Sequence, residues 1–148
     1  MSDLRHPSGP WTLELMLESR LENVDALRRL LIVACDWCGV DEAARYAVEL
    51  ATVEAVTNAM RHAHLLDAGK KVRVVVSNPE GAIRIVVEDE GLSIPDEQWE
   101  LASHRAQKQA AEQAREGGRG LFLIRELMDE ADYDSLDGTN RWTLVKRL

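Results

Sequence analysis

Hydrophobic and polar positions alternate strictly near the start of the chain. In WTLELMLE, residues 11–18, Trp11, Leu13, Leu15 and Leu17 fall on one face. That period of two predicts a strand with one buried face. The period then lengthens. Ser19 stands at an N-cap position with Glu22 three residues on, a capping box, and Leu27, Leu30, Leu31 and Ala34 recur at helical spacing to about Trp37. Gly39 predicts the stop. Asp41 predicts the cap of a second, longer helix reaching about His64, with a close-packing stripe of mostly small residues: Ala44, Val48, Ala51, Ala55 and Ala59. Alternation returns in residues 70–77 (KKVRVVVS) and 82–89 (AIRIVVED) on either side of Asn78-Pro79-Glu80-Gly81. Two alternating runs around a turn-rich tetrapeptide predict a hairpin.

From Gly91 to Gly117 the pattern changes: Gln, Ala, Glu, Arg and His dominate. With few large apolar residues to hold a face to the core, this stretch reads as a mobile excursion or lid. Gly118-Arg119-Gly120 stands before an apolar helix, LFLIRELMDE, that ends near Glu130. Two strands follow, Ala131–Leu136 and Arg141–Arg147, joined by Asp137-Gly138-Thr139-Asn140. No repeat or linker interrupts the order β-α-α-β-β-lid-α-β-β. The expectation is one α+β domain over residues 11–148 behind a tail of residues 1–10, with one helical layer on one mostly antiparallel sheet.

Composition narrows the function. A chain of 148 residues is long enough to bury a core without disulfides or a structural metal. A net charge of -8 argues against nucleic acid, which needs a basic patch to displace counterions. An acidic surface suits a basic protein partner instead. No apolar run approaches the roughly 18–20 residues that span a bilayer, and Met1–Pro10 lacks the look of a signal peptide, so a cytoplasmic protein is expected. Cys35-Asp36-Trp37-Cys38 has CxxC spacing. A redox pair belongs at a helix start after a strand, whereas this pair closes an apolar helical run. Tetrahedral zinc needs two more ligands, and no second cysteine pair exists. A reduced pair within a helix is the expectation, and the same ligand shortage counts against a metal at His62 and His64.

Three segments carry candidate chemistry. In VEAVTNAMRHAH, Glu54 and Asn58 lie four apart and project from one helix face, with His62 on the same stripe. A carboxylate on a packed helix needs compensation for lost water, although a helix lying on a sheet also has a solvated face that accounts for such residues. In VVEDEGLSIP a strand ends in Asp89-Glu90-Gly91. A carboxylate there can accept a hydrogen bond from a ligand while glycine admits close approach; the same residues also make plain turns. Gly117-Gly118-Arg119-Gly120 before Leu121 offers helix-start amides to an anion such as phosphate, or else forms a flexible loop. Neither GxxxxGK[ST] nor the HRD and DFG segments of common kinases occur.

In this order the three segments resemble the GHKL superfamily of ATPases and kinases. They are most similar to its anti-sigma-factor serine/threonine kinases, the bacterial partner-switching kinases. ELATVEAVTNAMRHA resembles that family's N-box, DEGLSI its first glycine box, GGRGLFLIRELMD its second, and Gly138-Thr139 its closing Gly-Thr. The likeness spans about residues 11–148; the combination is specific and each motif alone is not.

The resemblance implies a Bergerat-type two-layer sandwich with a mobile ATP lid over about residues 92–117. It also implies ATP and Mg²⁺ as cofactors, and a role for each matched residue. Glu54 would be the general base that takes the proton of the substrate hydroxyl, and Asn58 would give Mg²⁺ an oxygen ligand. Asp89 would accept from the adenine amino group, and Gly91 would let the purine pack closely. Gly118, Gly120 and the helix start at Leu121 would meet the phosphates, with Arg119 or Arg115 toward the terminal one, while Thr139 would assist around the adenine. Ser93 stands where the first glycine box usually has a second glycine. The implied substrate is a small STAS-type anti-sigma-factor antagonist, with a sigma factor as the alternate partner and homodimerisation common in the family. Phosphorylation adds roughly two negative charges to the antagonist, which an acidic kinase would repel. The rival reading is a non-catalytic ATP-binding regulator that sequesters a partner, against which a retained Glu54 speaks. A histidine kinase needs a phosphoacceptor helix pair ahead of this region, and only about ten residues precede the first strand.

Overall fold

The computed structural model describes residues 7–95, 98–99 and 116–148. Its strands are β1 (Thr12–Glu18), β2 (Lys71–Ser77), β3 (Ala82–Asp89), β4 (Glu130–Leu136) and β5 (Thr139–Arg147). They form one sheet in the order β1-β2-β3-β5-β4, every neighbour antiparallel. Helices α1 (Val24–Cys38), α2 (Glu42–Asn58) and α3 (Glu116–Leu127) cover one face. The expected α+β two-layer architecture is the one observed.

Strand alternation decides which side chains meet the helices. Val72, Val74 and Val76 of β2, Ile83, Ile85 and Val87 of β3, and Trp142 and Leu144 of β5 are buried, and they pack with Leu27, Leu31, Val48, Val56 and Met60 of the helical layer. On the opposite, open face a charged row crosses the sheet. Arg73 bonds both Glu14 and Glu88, and Arg141 bonds Glu88. Burial alone would raise the Glu88 pKa, but hydrogen bonds from Arg141 and Arg73 outweigh it and hold the carboxyl below its ordinary value.

Helix ends follow local chemistry in two places and depart from it in a third. Asp41 caps α2 by accepting from the Ala44 amide at 2.8 Å. Gly39, at φ 66°, ends α1 in the left-handed region. Ser19 is not a helix cap. Its amide donates to the Lys70 carbonyl, its side chain is buried beside His64, and a 3₁₀ turn over Leu21–Asn23 leads into α1 with no side-chain cap. Tertiary contact overrides the capping box, because a buried hydroxyl must find a partner. Cys35 is buried and its thiol is pushed up to about 11 by burial, and neither cysteine is in a disulfide.

The segment read as a lid, residues 92–117, lies mostly outside the described residues. Its described beginning is anchored to the core. The Ile94 amide donates to the Tyr133 hydroxyl, and Trp99 stands edge-on to Trp142 with the Arg125 guanidinium over its ring. Among the described residues no helix is long and apolar enough to cross a membrane.

Candidate active site

Helix α2 runs along the buried face and passes into a π-helical turn, Ala59–Ala63. Glu54 and Asn58 precede that turn, so both keep the α-helical spacing that puts them on one side, and both are half-buried. The wider π turn shifts the register of the residues after Asn58. His62 is exposed rather than continuing their stripe, while Ala63 and His64 turn inward.

Glu54 meets α3. A Cβ placed on Gly120 would stand 2.7 Å from Glu54 Oε2, so the carboxylate lies against the α3 backbone and a larger residue there would push it aside. The glycines do not precede this helix. Gly117, Gly118 and Arg119 lie in its first turns and Gly120 is buried within it, ahead of Leu121. Glycine inside a helix costs about 1 kcal/mol relative to alanine, and here it permits the close approach of Glu54. The side chain of Arg119 and all of Arg115 lie outside the described residues. Asn58 has a buried amide nitrogen with no hydrogen-bond partner among the described residues. An orphaned buried donor is rare in a finished core and common where a ligand belongs.

The second half of the site closes the end of β3. Asp89 is buried, and its Oδ1 accepts from the Gly91 amide at 2.9 Å and from Asn140 Nδ2 at 2.7 Å. The same Asn140 nitrogen reaches the carbonyls of Gly91 at 2.9 Å and Leu92 at 3.3 Å. Gly91 presses on the end of the π turn: a Cβ there would overlap the Ala63 carbonyl and come 2.8 Å from the His64 ring. His64 is buried against Ser19, with Nδ1 and the hydroxyl 2.6 Å apart. Burial lowers its pKa, only partly offset by the nearby Asp89 charge. Ser93, the departure in the first glycine box, is exposed.

Thr139 lies on the other side of its strand. Alternation in β5 sends Asn140, Trp142 and Leu144 toward the helices and Thr139 toward the open face. There Thr139 lines a cleft of about 560 Å³ with Met16, Lys71, Arg73 and Glu90, and Asp89 reaches the same cleft. The residue that contacts Asp89 directly is Asn140, which motif matching passes over. Period-two reading of TNRWTL would have marked it, because it shares a face with Trp142 and Leu144. His64 had no such signal, since the π turn that buries it breaks helical spacing.

Asn58 and Glu54 carry side-chain oxygens of the kind a nucleotide-bound Mg²⁺ takes, and the orphaned Asn58 nitrogen suits an acceptor such as phosphate. Among the described residues no three His, Cys, Asp or Glu side chains are grouped to hold a metal. Asn58 is an amide donor set beside the Glu54 carboxylate, and Mg²⁺ keeps most of its waters and binds with substrate phosphates through one or two protein oxygens.

One two-layer α+β fold carries a helix-borne Glu and Asn, a strand-end Asp and a glycine-bearing helix. The family model described as Histidine kinase-like ATPase domain matches residues 17–146. The anti-sigma F factor of Geobacillus stearothermophilus is 30% identical over 125 residues, covering 83% of this chain and 82% of that protein. The serine-protein kinase RsbW of Bacillus licheniformis is 38% identical over 85 residues, covering 56% of this chain and 52% of that one, so the match spans about half the length of that relative. In three dimensions the chain is similar to the SiaB–SiaC complex structure from Pseudomonas aeruginosa, with a TM-score of 0.65 at 18% identity over 92% of this chain and 89% of that one. The chain belongs to the histidine kinase-like ATPase domain family, and within it is similar to an anti-sigma factor.

Proposed function

We propose that this protein transfers the γ-phosphoryl group of ATP, with Mg²⁺, to a serine or threonine of a small STAS-type antagonist protein in the cytoplasm. In this reading it also holds a sigma factor in the alternate state of a partner switch. The observation that carries the reading is the fit of the Glu54 carboxylate against the backbone of Gly120. It sets a base beside the helix whose first turns carry the phosphate-facing glycines.

Each part of the site then has a task. Asn58 holds the metal through its amide oxygen, and the ion neutralises phosphate charge. Asp89 accepts from the adenine amino group, and Gly91 leaves room for the ring. Gly118, Arg119, Gly120 and Leu121 face the phosphates. Glu54 takes the proton as the substrate hydroxyl oxygen bonds to phosphorus and the bond to the leaving ADP oxygen breaks. Phosphoryl transfer depends on positioning and charge neutralisation, so one base, one metal and backbone donors suffice. A purely binding regulator would have no use for a carboxylate so placed.

Radiolabelled ATP, Mg²⁺ and the cognate STAS protein provide the test. Label is expected on serine or threonine, and Glu54→Gln is expected to cut transfer about 100-fold or more while ATP affinity holds. Undiminished transfer by that variant would remove Glu54 as the base.

A further inference from the structure

We infer that Asn140 is the positioning residue that gives this site its choice of adenine over guanine nucleotides, by locking the orientation of Asp89. The inference rests on the nucleotide-binding reading above and extends it to a residue outside every matched motif.

The geometry settles which end of the Asn140 amide faces the site. Three oxygens surround it: Asp89 Oδ1 at 2.7 Å, the Gly91 carbonyl at 2.9 Å and the Leu92 carbonyl at 3.3 Å. A flipped amide would turn its own oxygen onto all three, so the nitrogen must be there. With two hydrogens, that nitrogen serves Asp89 and Gly91 well and shares the longer contact with Leu92. Asn140 is 1% exposed and Asp89 is 5% exposed. The bond between them is buried, and those to the Gly91 and Leu92 carbonyls are part-buried.

The consequence falls on Asp89. Its Oδ1 is taken by two donors, the Gly91 amide and Asn140, while among the described residues Oδ2 accepts none. The carboxylate therefore cannot swing about its last torsion without breaking two hydrogen bonds, one buried and one part-buried, and Oδ2 is held as a fixed acceptor. A fixed acceptor rewards the 6-amino group of adenine, which donates, and repels the 6-oxo group of guanine, which does not. Sites built to hydrogen-bond one group reject its absence strongly because their own buried polar atom is left unpaired. Without Asn140 the carboxylate keeps only the part-buried bond from the Gly91 amide, its orientation loosens, and that discrimination weakens. The tie from β5 to the Gly91 and Leu92 carbonyls also holds the loop after β3 to the sheet.

The test compares ATP with purine riboside triphosphate, which lacks the 6-amino group, on the full chain by calorimetry. Wild type is expected to bind ATP the more tightly; equal binding would instead refute the assignment of Asp89 to adenine. In Asn140→Leu the ATP-to-analogue affinity ratio is expected to fall about tenfold, with discrimination against GTP falling in step. A merely structural role weakens both ligands in parallel and leaves the ratio unchanged, which would overturn the inference. Asn140→Ser, smaller and retaining a hydroxyl donor, serves if the leucine variant does not fold. Its ratio is expected to fall by about threefold, and an unaltered ratio there is equally fatal.

Discussion

Half-buried polar atoms decide what each residue of the site can do. Among the described residues Asn58 keeps a buried amide nitrogen with no partner, an arrangement that costs on the order of 1–3 kcal/mol unless a ligand answers it. In the proposed mechanism Asn58→Ala removes the magnesium-dependent part of nucleotide affinity. Calorimetry with and without Mg²⁺ checks this, and equal losses in both conditions would count against it. His64 makes a different statement. Burial lowers its pKa in the folded state, so between the folded value and the unfolded value near 6.5 the unfolded chain binds more protons. Stability is therefore full above about pH 6.5 and declines as pH falls through that window. Urea midpoints from pH 8 to pH 5 are expected to drop more steeply for wild type than for His64→Gln.

Elements bring these residues together through glycine, and the two critical glycines act differently. At Gly91 a methyl group would meet the Ala63 carbonyl, which the π turn holds in place. Gly91→Ala is expected to destabilise the fold by about 2–3 kcal/mol in urea unfolding. At Gly120 the methyl would meet only the far end of the Glu54 side chain. Gly120→Ala should leave stability nearly intact, since alanine favours the helix by about 1 kcal/mol, yet displace the carboxylate and depress phosphoryl transfer. A variant that loses stability but keeps transfer would reverse that assignment. At this scale the strand positions were legible from alternation, and the α2 cap at Asp41 from its residue type. The π turn and the diversion of Ser19 from capping were not. Ser19 meets the loop before β2 at Lys70 and the π turn meets the loop after β3 at Gly91, and neither contact follows from spacing within one segment.

For the whole molecule, the sheet's open face matters as much as its covered one. Glu88 bridges Arg73 and Arg141 from a side chain that is 14% exposed, with Glu14 joining from β1. The row ties four strands together. Glu88→Gln is expected to lower stability by about 1 kcal/mol, the scale of a networked surface pair, and added salt should shrink the difference. A loss insensitive to salt would point to packing instead.

Alternation and helical period specified the order and character of the elements, because burial on one face of a strand or helix is a local, periodic demand. The four-residue spacing of Glu54 and Asn58 likewise put them on one side of a helix before any contact was known. Alternation along β5 turns Asn140 inward, but tertiary structure alone decided that it would meet Asp89, that His64 rather than His62 would be buried, and that Gly120 would receive the Glu54 carboxylate. Those outcomes depend on pairs of residues far apart in the chain coming within hydrogen-bonding or van der Waals reach, and no periodicity within a segment encodes such a distance.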